Sequence, residues 1–328
     1  MRKTVLLLNI GIFAVFVLSL RLGDQPIPYS QIIGVLTGDP DAAVAAQLIV
    51  LEVRLPRAIL ALLVGMALAV AGAIIQTVMR NPLAEPGLLG INSGGALAAL
   101  ILIVYFRNES AHLVPWAAFA GAFVMAAAIY GFSWRSGASP VRIILIGIGL
   151  GSMAGAGASF ISAFGEIAVV QQAQVWLAGS VYNAGWDKVQ VLAIWLVLPF
   201  VLTMAASREL DLLSFSEMSA RSLGQRVEIA RAVLILLCTM ISGAAVAAAG
   251  LIGFIGLISP HVARRFVGHS HHRMVPVAAL VGGFLVLTAD LIGRTVMAPA
   301  QLPAGIVTAI LGAPFFAFLL WERRYVRS

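Results

Sequence analysis

The sequence predicts an all-α protein that crosses a membrane about ten times, and three observations lead there. Of its 328 residues, 61% are hydrophobic and only 11% are charged, whereas soluble domains run near 25% charged. That much apolar surface needs lipid as its solvent. Apolar runs of the length that crosses hydrocarbon, about 20 residues, recur from end to end. When these runs are threaded back and forth, Lys and Arg segregate to one side, as they do on the cytoplasmic face of membrane proteins.

The first span is 4–22. Its basic start (Arg2, Lys3) and apolar core resemble a secretory signal, but no small-x-small cleavage site precedes Gly23-Asp24-Gln25-Pro26. It reads as an uncleaved helix starting in the cytoplasm. Residues 23–53 form an outside segment with a short amphipathic piece. Spans two to five are 56–79, 90–106, 113–133 and 141–161. An outside segment with Glu166, Tyr182 and Trp186 leads to the sixth span, 189–206. A polar interval, 207–228, precedes spans at 229–249, 251–266, 274–293 and 303–321. Residues 1–328 thus read as one transmembrane domain.

An even span count places both termini in the cytoplasm. The outside then holds Arg21, Arg54, Arg57, Arg107, Lys188 and Arg294, so 21 − 6 = 15 of the 21 basic residues lie inside. The net charge of +7 is accordingly read as topology, not as a nucleic-acid footprint. The single cysteine, Cys238, has no internal disulfide partner and reads as a small core residue.

Residues 54–95 organise the chain. Arg54-Leu55-Pro56-Arg57 opens an apolar run that ends at Met79. Asn81-Pro82 and Glu85-Pro86 then break the helix twice, because proline lacks a donor and disfavours helix before it. Gly87, Gly90, Gly94 and Gly95 follow. Irregular backbone at membrane depth must be satisfied by protein or water, so Asn81, Pro82, Glu85, Pro86 and Gly87 predict a buried structural turn. A candidate inverted repeat pairs Ala69–Gly72, ten residues before Pro82, with Ala245–Gly250, ten before Pro260.

Several motifs could carry function. In 209–231, apolar Leu212, Leu213, Phe215, Met218 and Leu223 alternate with Ser214, Glu217, Ser219 and Arg221. This predicts a short amphipathic helix from Ser214 that stops near Gly224 and docks in a partner's groove. Gly147, Gly151 and Gly155 share one face of the fifth span, spaced for close helix approach or for the wall of a path. Arg54 and Arg57 lie outside at a helix start, where the dipole disfavours cations; they read as snorkelling side chains or as a socket for a partner's carboxylates. Glu85 and Asp290 are the acids nearest membrane depth. Glu85 reads as a cap for the nearby helix start or a partner for Arg80. His269, His271 and His272 read as a solvated basic loop. The sequence contains no GxxxxGK[ST] phosphate loop, HExxH or nucleophile elbow, so any energy for work comes from other subunits.

Together, RLPR, NPLAEPGLLGINSG, SARSLG, GFIGLISPHVARR and the closing AD-x-x-x-R with LPAGIVTAILGAPFF resemble the FecCD-type permeases over about residues 50–320. These are the membrane subunits of ABC importers for iron–siderophore complexes, haem and vitamin B12. The resemblance implies the type II importer permease fold of ten spans. It also implies a second permease subunit in a homo- or heterodimer, two cytoplasmic ATPases that carry the ATP and Mg²⁺, and an extracytoplasmic substrate-binding protein. The chain itself would bind no cofactor or metal and catalyse no reaction. By the same resemblance the 207–228 loop is the coupling segment, with Glu217, Ser219, Ala220, Arg221, Leu223 and Gly224 in the ATPase groove. Arg54, Arg57 and Arg294 would meet acidic residues of the binding protein. The path would run between the fifth and tenth spans past Gly147, Gly151, Gly155, Pro303 and Gly305, with a cytoplasmic gate near Ser136, Ser139 and Pro140. Ferric siderophore is the expected cargo and the bacterial cytoplasmic membrane the expected location. An ion-driven secondary transporter is the alternative from another class; the coupling segment and the lack of a buried charged relay weigh against it.

Overall fold

The computed structural model describes residues 2–39, 43–87, 89–106, 110–134 and 139–325. Ser136, Arg107, Arg135, Asp41 and Arg327 from the sequence reading lie outside that set. The fold is all-helical: α1 (Arg2–Arg21), α2 (Tyr29–Thr37), α3 (Val44–Gln47), a π-helical segment (Leu48–Arg54), α4 (Leu55–Val78), α5 (Ile91–Tyr105), α6 (Ser110–Ser133), α7 (Pro140–Phe164), α8 (Ile167–Leu177), α9 (Trp186–Ala205), α10 (Ser207–Leu213), α11 (Glu217–Ser222), α12 (Val227–Ala249), α13 (Ile255–Val267), α14 (His271–Thr295) and α15 (Ala304–Tyr325). All ten predicted spans have a helical counterpart: α1, α4, α5, α6, α7, α9, α12, α13, α14 and α15. Seven helices are long and apolar enough to cross a membrane, and α5 and α15 contain shorter apolar stretches.

The second span departs from expectation at its start. Helix runs continuously from Val44 to Val78, so Arg54 and Arg57 sit inside it and not at an exposed helix start. Pro56 would normally break such a run, since the carbonyl four residues back loses its donor. The π-helical turn absorbs the mismatch: Leu55 N–H donates to Val50 O, one residue further back than in an α-helix.

The eighth span is also shorter than predicted. α13 has 13 residues, about 20 Å of helix. It begins alongside Gly72 of α4, after an irregular strand of residues 250–254. The two prolines of the candidate repeat are placed differently: Pro82 stands in the turn after α4, whereas Pro260 lies within α13.

α4 is the axis of the bundle. Apolar side chains from its whole circumference are buried, including Leu60, Val64, Ile74 and Ile75, against α14, α12, α13 and α9. Two glycine contacts set its closest approaches. A methyl on Gly65 would lie 2.1 Å from the Gly282 carbonyl oxygen of α14, and one on Gly72 would lie 2.0 Å from that of Gly256 in α13. Backbones can meet so closely only where both helices lack a Cβ. Cys238 is buried against this core, its thiol donating to Ala71 O at 3.5 Å.

α7 and α15 lie at the edges. α7 packs on α5 and α6, α15 on α14 and α13. Leu145, Ile148 and Phe160 of α7, and Ile306, Ile310 and Leu311 of α15, are exposed.

Candidate functional site

One end of the bundle carries the amphipathic element. Ser216 caps α11, its hydroxyl accepting from Ser219 N–H at 3.0 Å. Gly224 ends the turn at φ 85°, a left-handed conformation that suits glycine, and its N–H donates to Arg221 O at 3.0 Å. The helix is thus shorter than predicted and starts at Glu217, because α10 and the cap at Ser216 take up the preceding residues. Ala220 is wholly buried, while Met218 and Leu223 are 83% and 62% exposed. α11 therefore packs on the bundle by one face and leaves an apolar ridge outside.

Charge fixes that orientation. Glu217 accepts from Arg80, after α4, at 2.8 Å, and from Arg231 of α12 at 2.5 Å. Arg231 is only 1% exposed and also meets Glu228 at 3.4 Å, and Glu228 in turn holds Arg221 at 3.1 Å. Gln225 donates to the backbone and carboxylate of Glu209, both at 2.9 Å. Arg80 is thus committed to Glu217, not to Glu85 as expected. Glu85 instead lies with Phe254, at the start of α13, in the lining of one small cavity, so the predicted turn sits against that helix start. Phe254 adopts φ 68°, and its ring lies where any methyl on Gly312 of α15 would fall, 2.3 Å from its Cγ. Asn81 steadies the turn, its side-chain oxygen accepting from Leu83 N–H at 3.0 Å. Pro86 is buried and approaches Gly256, and Pro82 and Gly87 are partly buried.

The opposite end carries the buried arginines, and here the sequence reading is corrected. Arg54, Arg57 and Arg294 are 5%, 5% and 3% exposed. Arg57 donates to Asp290 at 2.8 and 3.0 Å and to Gln301 Oε1 at 2.8 Å. Arg294 reaches Asp290 at 3.7 Å and donates to Ser19 O at 2.6 Å. Arg54 donates to Leu20 O and Arg21 O, both at 2.7 Å, and to Gln25 O. The three guanidiniums are spent inside the chain, so they form no exposed socket. Continuous helix before Pro56 places Arg54 under the α1–α2 connection. Asp290 is correspondingly no isolated acid but the shared anion of two cations.

Beside Arg57 opens a cavity of about 1110 Å³ whose lining includes Gln172, Trp176, Tyr182, Asn183, Lys188 and Gln301. The Arg57 guanidinium lies 5.4 Å from the Tyr182 ring centroid, in cation–π range. Pro303 belongs to this lining, whereas Gly305 is buried, its N–H donating to Gly179 O at 2.9 Å. The α7 glycines divide. Methyls on Gly147 and Gly151 would meet Leu89 O at 2.4 Å and Gly90 Cα at 3.1 Å, while nothing lies within 4 Å of one on Gly155. The first two seat the 89–90 turn, and of the three Gly155 alone faces open space, as Gly149 between them also does. Ser139 caps α7, accepting from Arg142 N–H at 3.4 Å.

Polar links inside the bundle escaped the sequence reading. Gln76 donates to Gly256 O at 3.0 Å and accepts from Arg264, tying α4 to α13. His271 is buried between Asp211 and Thr77. The available signal was Gln76-Thr77, two polar residues at the end of an otherwise apolar run. His269 and His272 are exposed, and no metal-binding cluster occurs among the described residues.

A multi-spanning helical bundle with a clamped amphipathic helix at one end and a polar-lined cavity at the other defines a membrane permease. The family model described as the FecCD transport family matches residues 11–322, and the chain belongs to that family. It is 40% identical to the iron(3+)-hydroxamate import system permease protein FhuG of Bacillus subtilis (strain 168), over 95% of this chain and 94% of that one. It is 37% identical to the vitamin B12 import system permease protein BtuC of Serratia proteamaculans (strain 568), over 99% and 95%. A solved structure described as an inward-facing conformation of a metal-chelate type ABC transporter superposes with a TM-score of 0.85 at 29% identity, covering 98% of this chain and all of that one. The family is one of transport permeases.

Proposed function

We propose that the chain is the permease subunit of an ABC importer for a ferric siderophore. The observation that carries this reading is α11: a short helix with its inner face buried and its charge clamped by Arg80 and Arg231, leaving Met218 and Leu223 as an apolar ridge with no cover in the chain. Such a ridge fits the groove of a partner ATPase. On this reading the α11 end is cytoplasmic, both termini are cytoplasmic, and the membrane is the bacterial cytoplasmic membrane. Two ATPases bind ATP and Mg²⁺ beneath a pair of permeases, and Leu223 and Gly224 complete the ridge while Ala220 packs its inner side and Ser219 and Arg221 stay exposed beside it.

The cavity at the Arg57 end is the outer mouth. A binding protein delivers cargo there, over Tyr182, Asn183 and Gln301 and not over the buried arginines. The open faces of α7 and α15, including Gly155, face the second permease and the path. The likeness to a hydroxamate-importing relative supports a ferric hydroxamate over haem or cobalamin. The test is to titrate the partner binding protein with ferric hydroxamate, ferric citrate, haem and cobalamin by intrinsic fluorescence. Tight binding of the hydroxamate chelate alone supports the cargo, and preference for haem or cobalamin reassigns it.

A further inference from the structure

The His271 side chain is sequestered from solvent and joined at both ring nitrogens. Nδ1 lies 2.6 Å from Asp211 Oδ1 of α10, and Nε2 lies 2.7 Å from Thr77 Oγ1 of α4. A carboxylate only accepts, so Nδ1 carries the proton shared with Asp211. Nε2 shares one hydrogen bond with the Thr77 hydroxyl, whose oxygen also lies 2.9 Å from Ala73 O within α4. The same Asp211 oxygen accepts the backbone N–H of His271 at 2.9 Å, and its other oxygen accepts from Ser270 Oγ at 3.4 Å. Ser270 makes no side-chain cap of its own. Asp211 therefore serves as the cap of α14 from another element, with its negative charge at the positive end of the helix dipole.

Three elements meet at this one ring. α10 adjoins α11. α4 is the axis of the bundle. α14 runs 25 residues, about 37 Å, to Asp290 and Arg294 at the other end, where Arg57 and Gln301 border the outer cavity.

We propose that His271 is a positioning residue for coupling: through Asp211 and Thr77 it locks the ATPase-facing segment to α4 and α14, so that displacement of α10 moves α14 and opens or closes the outer mouth. This rests on the importer reading above. It assigns the buried member of the histidine group a task that neither of its exposed neighbours shares.

The test uses the permease assembled with its ATPases in proteoliposomes. Met297, 53% exposed and two residues before Pro299 of the cavity lining, is changed to Cys, and its labelling by a membrane-impermeant maleimide is timed with and without ATP and vanadate. Cys238, the only native cysteine, is buried. The parent is expected to show a several-fold nucleotide-dependent change in labelling rate. Thr77→Val and His271→Asn should abolish that change while ATP hydrolysis persists, and Thr77→Ser, which keeps the hydroxyl, should restore it. An unaltered nucleotide response in Thr77→Val and His271→Asn overturns the proposal. So does a Thr77→Ser protein that behaves like Thr77→Val, or loss of hydrolysis along with the labelling response. A parent complex without ATP hydrolysis overturns the importer reading itself, and this role with it.

Discussion

Arg57 of α4 and Asp290 of α14 form a buried ion pair, Nη2 to Oδ1 at 2.8 Å, with side chains only 6% and 2% exposed. The pair joins the two most extensively packed helices of the bundle and borders the outer cavity. Removing one partner of such a pair leaves an uncompensated buried charge, at a cost of about 3–5 kcal/mol. Replacing both with apolar residues of similar volume costs far less. Asp290→Ala should therefore lower the thermal midpoint of the detergent-purified permease markedly, and Arg57→Met/Asp290→Leu should recover most of it. An Asp290→Ala protein as stable as the parent would contradict the pairing.

The two ends of the α7 glycine row should respond differently to the same change. Gly147→Ala would place a methyl 2.4 Å from Leu89 O, whereas Gly155→Ala meets nothing within 4 Å. The first should reduce the yield of folded protein. The second should leave the monomer's stability unchanged or raise it by about 0.5–1 kcal/mol through helix propensity. Size-exclusion recovery and thermal unfolding of the two variants read the difference.

Gly224 sits at φ 85°, where proline, fixed near −65°, does not fit and where asparagine does so at modest cost. Gly224→Pro should misplace the apolar ridge and uncouple ATP hydrolysis from uptake, while Gly224→Asn keeps them coupled. The ratio of phosphate released to cargo accumulated distinguishes the two.

Met218 and Leu223 are exposed and touch no core cluster. Met218→Asp/Leu223→Asp should leave thermal stability unaltered and sharply reduce co-purification of the ATPases. Undiminished capture would show that the ridge is not their seat.

Much of this architecture could be read from the sequence because lipid imposes a simple rule: apolar runs of fixed length become helices. All ten expected spans have helical counterparts, and seven of those helices meet the rule in length and apolarity; the helix stop at Gly224 and the turn at Asn81–Gly87 were legible from glycine and proline. What it missed depended on contacts between distant residues. Nothing local distinguishes Arg57 near a helix start facing water from Arg57 inside a continuous helix facing Asp290, 233 residues away. The π-helical turn that makes the difference is a tertiary accommodation of Pro56. His271, beside two exposed histidines, carried no local sign of burial; only the fold brings Asp211 and Thr77 to its ring. Glu217 looked like a surface contact for a partner, and the fold pairs it with Arg80 and Arg231.

On the importer reading, ATP-driven partners move cargo through this chain by way of α11. The most direct measurement is uptake of a radio-iron ferric hydroxamate into proteoliposomes containing the permease, its ATPases and the binding protein. The account predicts accumulation that requires ATP on the α11 side and is lost in Met218→Asp/Leu223→Asp. Accumulation driven by a proton or sodium gradient without ATP, and unaffected by those substitutions, would contradict it.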